Sequence, residues 1–336
     1  MAPADSGQGS PIPLEMVDCG ICGSKRFRPL FEACDYIYGN EGSWPVAQCE
    51  ECGVVLMNPR IPPERIGAFY PATYYAKEPA RVGTPSKAWR KCIKQLTLNR
   101  CYGYPAGNEC GIIARLIALA AALLVSRTAA LARNIQYTPN GRVLDVGCGN
   151  GFCLNIYKKL GWETFGTEIS PDSANIARAA GHQISLGELR DAHYPDGFFD
   201  AITLWDALEH IANPAEVTAE AHRVCKRGGR IYVYVPDYDS RYARYFRDRW
   251  FMFTAPLHYY HYTAQTLTRL LSDARFHSVH IRRPLGDAGL LPTLSAASRE
   301  HAVLHATLAG FPVASLLKLV EKWLPGGHLL ALALKP

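Results

Sequence analysis

The chain has 336 residues, 48% of them apolar and 20% charged, with a formal net charge of +6. That composition excludes wholesale disorder, and the length allows more than one domain. The mild positive charge permits an anionic substrate or a membrane surface and demands neither.

The first stretch, residues 1–13, is rich in Pro, Gly and Ser and reads as a loose tail. It lacks the basic-then-apolar pattern of a signal peptide. Residues 14–76 then carry two cysteine pairs, Cys19-x-x-Cys22 and Cys49-x-x-Cys52, each followed by glycine. Two such pairs flanking a loop form the usual ligand set of a closed tetrahedral zinc site. With four thiolates no coordination position stays open for catalysis, so the expected zinc is structural and stabilises a module too small to bury much core. The chain has 11 cysteines. Without an export signal they are expected as thiols or metal ligands in a reducing cytoplasm rather than as disulfides. An aromatic cluster, Phe69, Tyr70, Tyr74 and Tyr75, ends the module. Tyr74 and Tyr75 are the candidates for stacking on a substrate; the alternative is packing against the next domain.

Residues 77–140 read as a helical connector. Within it, the uncharged run between Arg115 and Arg127 is too short to span a bilayer, which takes roughly 20 residues. The stretch 111–134 reads as an Ala/Leu-rich helix packed on a neighbouring domain, with peripheral membrane contact as the sharper alternative. A second apolar segment, 302–324, is interrupted by Pro312 and carries the same ambiguity.

From Gly141 strand and helix signals alternate. Residues 142–147 read as a strand, and 152–161 as a helix stopped by Gly161. A second strand covers 162–168. The next helix opens with Ser170 as N-cap and Pro171 in its first turn. Further strands are predicted at 183–186, 199–206 and 230–236, with a helix over 213–229 before the last of these. A helix over 263–275 follows. Residues 286–325 form a helical insertion before a final strand near "HLLALALKP". This rhythm predicts an α/β doubly wound parallel sheet that binds ligands at the carboxyl ends of its strands.

The first strand runs into "VLDVGCGNGF", with Gly147, Gly149 and Gly151 at alternate positions. No Gly-Lys-Ser/Thr follows, so this is not a phosphate loop. Phe152 stands where the third glycine of a dinucleotide fingerprint would be. Asp145 would repel a pyrophosphate and suits a ligand carrying ammonium and sulfonium charges.

This motif resembles the first motif of class I S-adenosylmethionine-dependent methyltransferases, and further matches follow in order. The resemblance implies that Asp145 and the three glycines place the methionine portion and that Glu168 binds the ribose hydroxyls. It implies that Glu188 and Leu189, in "GEL", read the adenine, and it sets Asp206 among the cofactor-binding residues. "FDAITLWDALEHIANP" resembles the family's fourth strand and following loop, in which Glu209 and His210 are expected to brace the loop rather than touch substrate. Residues 238–267 resemble the family's W…P-x-H-x-x-H-F-T region, with Trp250, Pro256, His258, His261 and Thr263 matching. Trp250 is thereby a substrate candidate, His258 the first candidate for the base and His261 the second; the alternative is that both histidines only orient the loop. Arg241, Arg244 and Arg247, at three-residue spacing, would share a solvated helical face.

The segment after the second cysteine pair resembles bacterial methyltransferases that carry such a module and often act on sugars. The expectation is therefore a class I methyltransferase with an N-terminal zinc module. It would transfer a methyl group to a sugar-type acceptor (sugar nucleotide, polysaccharide or glycolipid), at oxygen rather than carbon. One alternative is an RNA methyltransferase that grips RNA through the zinc module. Residues 14–76 show no dense Lys/Arg–aromatic stripe, and no base-flipping motif appears. Another is a non-catalytic S-adenosylmethionine-binding scaffold.

Overall fold

A computed structural model of the chain describes residues 13–71, 88–105, 133–286, 293, 324 and 326–336. Tyr74, Tyr75, nearly all of the 111–134 stretch and most of the 286–325 insertion lie outside the described residues. Among the described residues no helix is long and apolar enough to cross a membrane.

Two sheets organise the molecule. The larger has seven strands in the order β10–β11–β8–β7–β4–β5–β6. Here β4 is Arg142–Val146, β5 Glu163–Glu168, β6 Gln183–Leu186, β7 Phe199–Trp205, β8 Cys225–Pro236, β10 His277–Arg282 and β11 His328–Leu334. Strands β8, β7, β4, β5 and β6 are parallel neighbours, and β11 inserts antiparallel between β8 and β10. This is the Rossmann-like class I methyltransferase fold, with a mostly parallel sheet whose order reverses at β4. Strand β8 starts at Cys225, so α4 (Pro214–Val224) stops earlier than the sequence suggests. The glycines read as a helix stop instead lie in the strand.

The crossover helices are capped as their sequences dictate. Helix α2 (Phe152–Lys159) starts from Gly151. Helix α3 (Pro171–Ala179) is capped by the Ser170 side chain, which accepts from the Ser173 N–H. Helix α6 (Ala264–Asp273) starts with a capping box between Thr263 and Thr266.

The smaller sheet is antiparallel, β1–β2–β3–β9. Strands β1 (Phe27–Cys34), β2 (Ser43–Cys49) and β3 (Val55–Met57) belong to the N-terminal module, whereas β9 (Tyr260–His261) comes from the loop after β8. Val55 pairs with His261 and Leu56 with Tyr260. One buried cluster runs without a break from Cys19 through Leu56 and Tyr260 to Val233 and Ala333. The module thus shares its core with one face of the large sheet. A second cluster, including Leu154, Tyr157, Trp162 and Trp205, covers the other face.

Candidate functional site

The glycine loop sits at the carboxyl end of β4, where the strand order reverses and a crevice opens. Gly147, Gly149 and Gly151 all have positive φ, 69°, 54° and 81°, a region that side chains with a Cβ rarely adopt. A Cβ on Gly151 would also meet the His182 ring at 3.0 Å, and one on Gly147 would meet Ala207 Cβ at 3.0 Å. The second contact joins the glycine loop to the segment after β7. Cys148 is explained by packing: a Cβ on Gly166 of β5 would stand 2.6 Å from its Sγ.

Asp145 is buried and accepts a 2.6 Å hydrogen bond from Thr203 Oγ1 on β7. Burial pushes its carboxyl up to about 7, although Thr203 and the positive charge of Arg133 work the other way. Glu168 ends β5 with its two oxygens accepting from the backbone N–H groups of Gly149 and Ser170, each at 2.8 Å. It therefore ties the glycine loop to the start of α3. A carboxylate has about four acceptor sites, so ribose hydroxyls can still bind it. Asp206 has φ 50° and accepts from Arg133 Nη2 at 2.8 Å, with His328 Nε2 at 3.0 Å. Burial acts against its charge, but His328 and Arg133 outweigh that and hold the carboxyl below its ordinary range.

Glu188 is exposed; it forms a capping box with Asp191 and an ion pair with Arg190 at 3.2 Å. Leu189 beside it is buried. Trp250, the substrate candidate, is among the largest fully buried side chains, 1% exposed, and belongs to the core shared by the two sheets. The arginine stripe dissolves. Helix α5 spans only Arg241–Phe246, Arg247 leaves it with φ 51°, and Arg244 pairs with Asp239 at 2.6 Å.

The histidines and the Leu-Glu-His triplet come together. His258 and His261 are buried. His261 stacks on Phe253 with ring centroids 4.0 Å apart, within β9. The His258 ring meets the His210 ring edge-on at 4.5 Å. One donor atom each of Glu209, His210 and His258 lie within 4.8 Å of one another. Burial, then the proximity of His210 and His261, lowers the His258 imidazole well below its ordinary value. Burial, reinforced by Asp206, pushes the Glu209 carboxyl well above its own. His210 Nδ1 lies 3.0 Å from the Leu257 carbonyl and 3.1 Å from Tyr70 Oη. A carbonyl only accepts, so Nδ1 carries the hydrogen and the lone pair sits on Nε2. The sequence pointed to Glu209 and His210 only as braces; their apposition to His258 depends on a loop some fifty residues away.

The cysteine pairs meet as their spacing implies. Cys19 and Cys52 Sγ are 3.5 Å apart, Cys22 and Cys49 Sγ likewise, and all four sulfurs lie within 4.8 Å of one another. Each pair forms a tight turn. Cys19 C=O accepts from Gly23 N–H at 2.8 Å, and Cys49 C=O from Gly53 N–H at 3.0 Å. Both glycines have positive φ. Zn–S bonds of about 2.3 Å in a tetrahedron put sulfurs about 3.8 Å apart, so this donor set fits a closed structural zinc site. Against the expectation of thiols or metal ligands rather than disulfides, Cys92 is disulfide-bonded.

Part of the chain is similar to known proteins. Residues 119–281 match a family model described as a methyltransferase domain. An uncharacterized protein of Methanocaldococcus jannaschii is 33% identical over 115 residues, 34% of this chain and 54% of that protein. A ubiquinone biosynthesis O-methyltransferase of Alkalilimnicola ehrlichii is 34% identical over 99 residues, 27% of this chain and 39% of that enzyme. The chain thus spans about half or less of the length of these curated relatives. Among solved structures, the complex of the Haloferax volcanii Trm112 methyltransferase activator with a methyltransferase matches at TM-score 0.48 and 16% identity, over 76% of this chain and 100% of that one. A Thermotoga maritima S-adenosylmethionine-dependent methyltransferase matches at TM-score 0.44 and 19% identity, over 66% and 96% of the two chains. Residues 119–281 are thus similar to a methyltransferase domain and include most of the mostly parallel sheet described above.

Proposed function

We propose that the whole chain is a methyltransferase that moves the methyl group of S-adenosylmethionine to a hydroxyl of a sugar-type acceptor. The observation that supports the reading is the close approach of Gly147 to Ala207, where a Cβ added to the glycine would stand 3.0 Å from the alanine Cβ. The glycine loop beside Asp145 and Glu168, the proposed cofactor residues, thus lies next to the segment bearing Glu209 and His210. S-Adenosylmethionine supplies the electrophilic methyl group, and the protein supplies alignment and a way to remove the acceptor proton. Asp145 and the glycine loop would hold the methionine portion, Glu168 the ribose, and Glu188 with Leu189 the adenine. His258, facing Glu209 and His210, is the proposed centre of hydroxyl deprotonation. The four cysteines would hold a structural zinc ion.

The sugar-type acceptor rests on the resemblance of residues 52–75 to bacterial sugar methyltransferases. A phenolic acceptor is the second reading, favoured by the ubiquinone biosynthesis O-methyltransferases among the relatives. The test is transfer of labelled methyl to panels of nucleotide sugars, glycolipids, phenols and RNA. Selective labelling of sugars upholds the proposal; selective labelling of phenols installs the second reading; labelling of RNA alone overturns both.

A further inference from the structure

The Glu209–His210–His258 cluster holds more than a proton acceptor requires. Glu209 is 1% exposed and its Oε2 has no hydrogen-bond partner; His258 is 7% exposed and its Nδ1 has none either. Orphaned buried polar atoms are rare and call for a ligand. These two belong to one group whose donor atoms fall within 4.8 Å. His210 completes it. Its Nδ1–H is spent on the Leu257 carbonyl, the arrangement by which a metal-binding imidazole is oriented through its other nitrogen. The backbone of Met252 engages the His258 ring in a similar way.

We propose that Glu209, His210 and His258 form a second metal site, for a divalent first-row cation held by two imidazoles and one carboxylate. That set leaves coordination positions open, unlike the four-cysteine site. A cation taking Glu209 Oε2 and His258 Nδ1 would satisfy both orphaned atoms and displace the proton that burial holds on the Glu209 carboxyl. His210 is half-buried and gives the ion access from the carboxyl edge of the sheet. A hydroxyl oxygen bound at an open position would be made more acidic. His258 would then act as a ligand in place of the base role given to it above, and the proton of the acidified hydroxyl would leave to solvent. The proposal deepens the acceptor-site reading above, but binding is measured on the resting protein and needs no acceptor.

The experiment is titration with Mn2+ of the full chain carrying one equivalent of zinc, followed by electron paramagnetic resonance. The expected result is one saturable Mn2+ site per chain. Its affinity should fall at least tenfold in Glu209→Gln and in His258→Ala. Pulsed measurements on the unaltered protein should show coupling to imidazole nitrogen, which needs no variant to fold. Absence of saturable binding, or bound Mn2+ without nitrogen coupling, overturns the proposal. If Mn2+ binds as expected but no acceptor is methylated, the metal site stands and the acceptor reading fails.

Discussion

Tyr70, in the N-terminal module, places its hydroxyl 3.1 Å from Nδ1 of His210, on the segment following β7. The module therefore reaches the cluster proposed above as the acceptor site. It contacts the second histidine of the cluster and, through β3, pairs with the strand that carries His261. Loss of the Tyr70 hydroxyl removes one oriented partner and leaves the ring. Tyr70→Phe should lower methyl transfer by about 3- to 10-fold, the worth of one hydrogen bond, and leave S-adenosylmethionine affinity unchanged. Steady-state kinetics beside calorimetry checks it, and an unchanged kcat would show that the contact is incidental.

Removal of the proposed structural zinc should act in the same direction more strongly. Chelation, or Cys49→Ser, would release the turn that begins at the end of β2 and with it the β3–β9 pairing. A fall in melting temperature is expected, because metal binding in such modules is folding energy. Cofactor affinity should change less than threefold while acceptor turnover is lost, since the glycine loop belongs to the other sheet. Equal loss of both would mean that the module supports the whole domain.

Asp145 provides a pH signature. Its carboxyl is raised to about 7 by burial in the unliganded protein, whereas the cofactor's ammonium group requires the ionised form. Affinity should therefore weaken below pH 7, approaching tenfold per pH unit, and Asp145→Asn should abolish the slope. The linkage to stability has the opposite sense. The folded state binds the extra proton between the ordinary carboxylate value and about 7, so this group's contribution is present at low pH and lost as pH rises through that window. Denaturant melts of the unliganded protein at several pH values, with the Asn variant as reference, measure it.

The Cys148–Gly166 approach predicts a coupled pair. Gly166→Ala puts a Cβ 2.6 Å from the Cys148 sulfur, and overpacking of this kind costs about 1–3 kcal/mol. Cys148→Ala removes the sulfur and should restore part of that loss. A double-mutant cycle by chemical denaturation reads the coupling, and strict additivity would contradict the contact.

The sheet was legible because its signals are local. The glycine loop, the Ser170 cap and the apolar strands all declare themselves within a few residues. The two cysteine turns were legible for the same reason. The origin of β9 was not, because a two-residue strand given by one domain to another's sheet has no periodicity to read. Nor was the burial of Trp250, because a motif position does not reveal how far a ring is enclosed. Glu209 and His210 read as braces because their partner, His258, is brought to them only by the fold. The end of α4 was missed because Gly228 and Gly229, ordinary helix-stop signals, here sit inside a twelve-residue strand, at an irregularity in its pairing with β7 where both glycines hydrogen-bond with Lys335 just beyond β11.

The most direct test is calorimetric titration of the zinc-replete protein with S-adenosylmethionine, beside Asp145→Ala and Glu168→Ala, with NAD as control. Saturable binding by the parent is predicted, weakened by about tenfold or more in each variant, as for hydrogen bonds to charged groups, and absent for NAD. No binding of S-adenosylmethionine by the folded parent, or equal binding by all three proteins, would contradict the assignment of the glycine loop and the Asp145–Glu168 crevice to this cofactor.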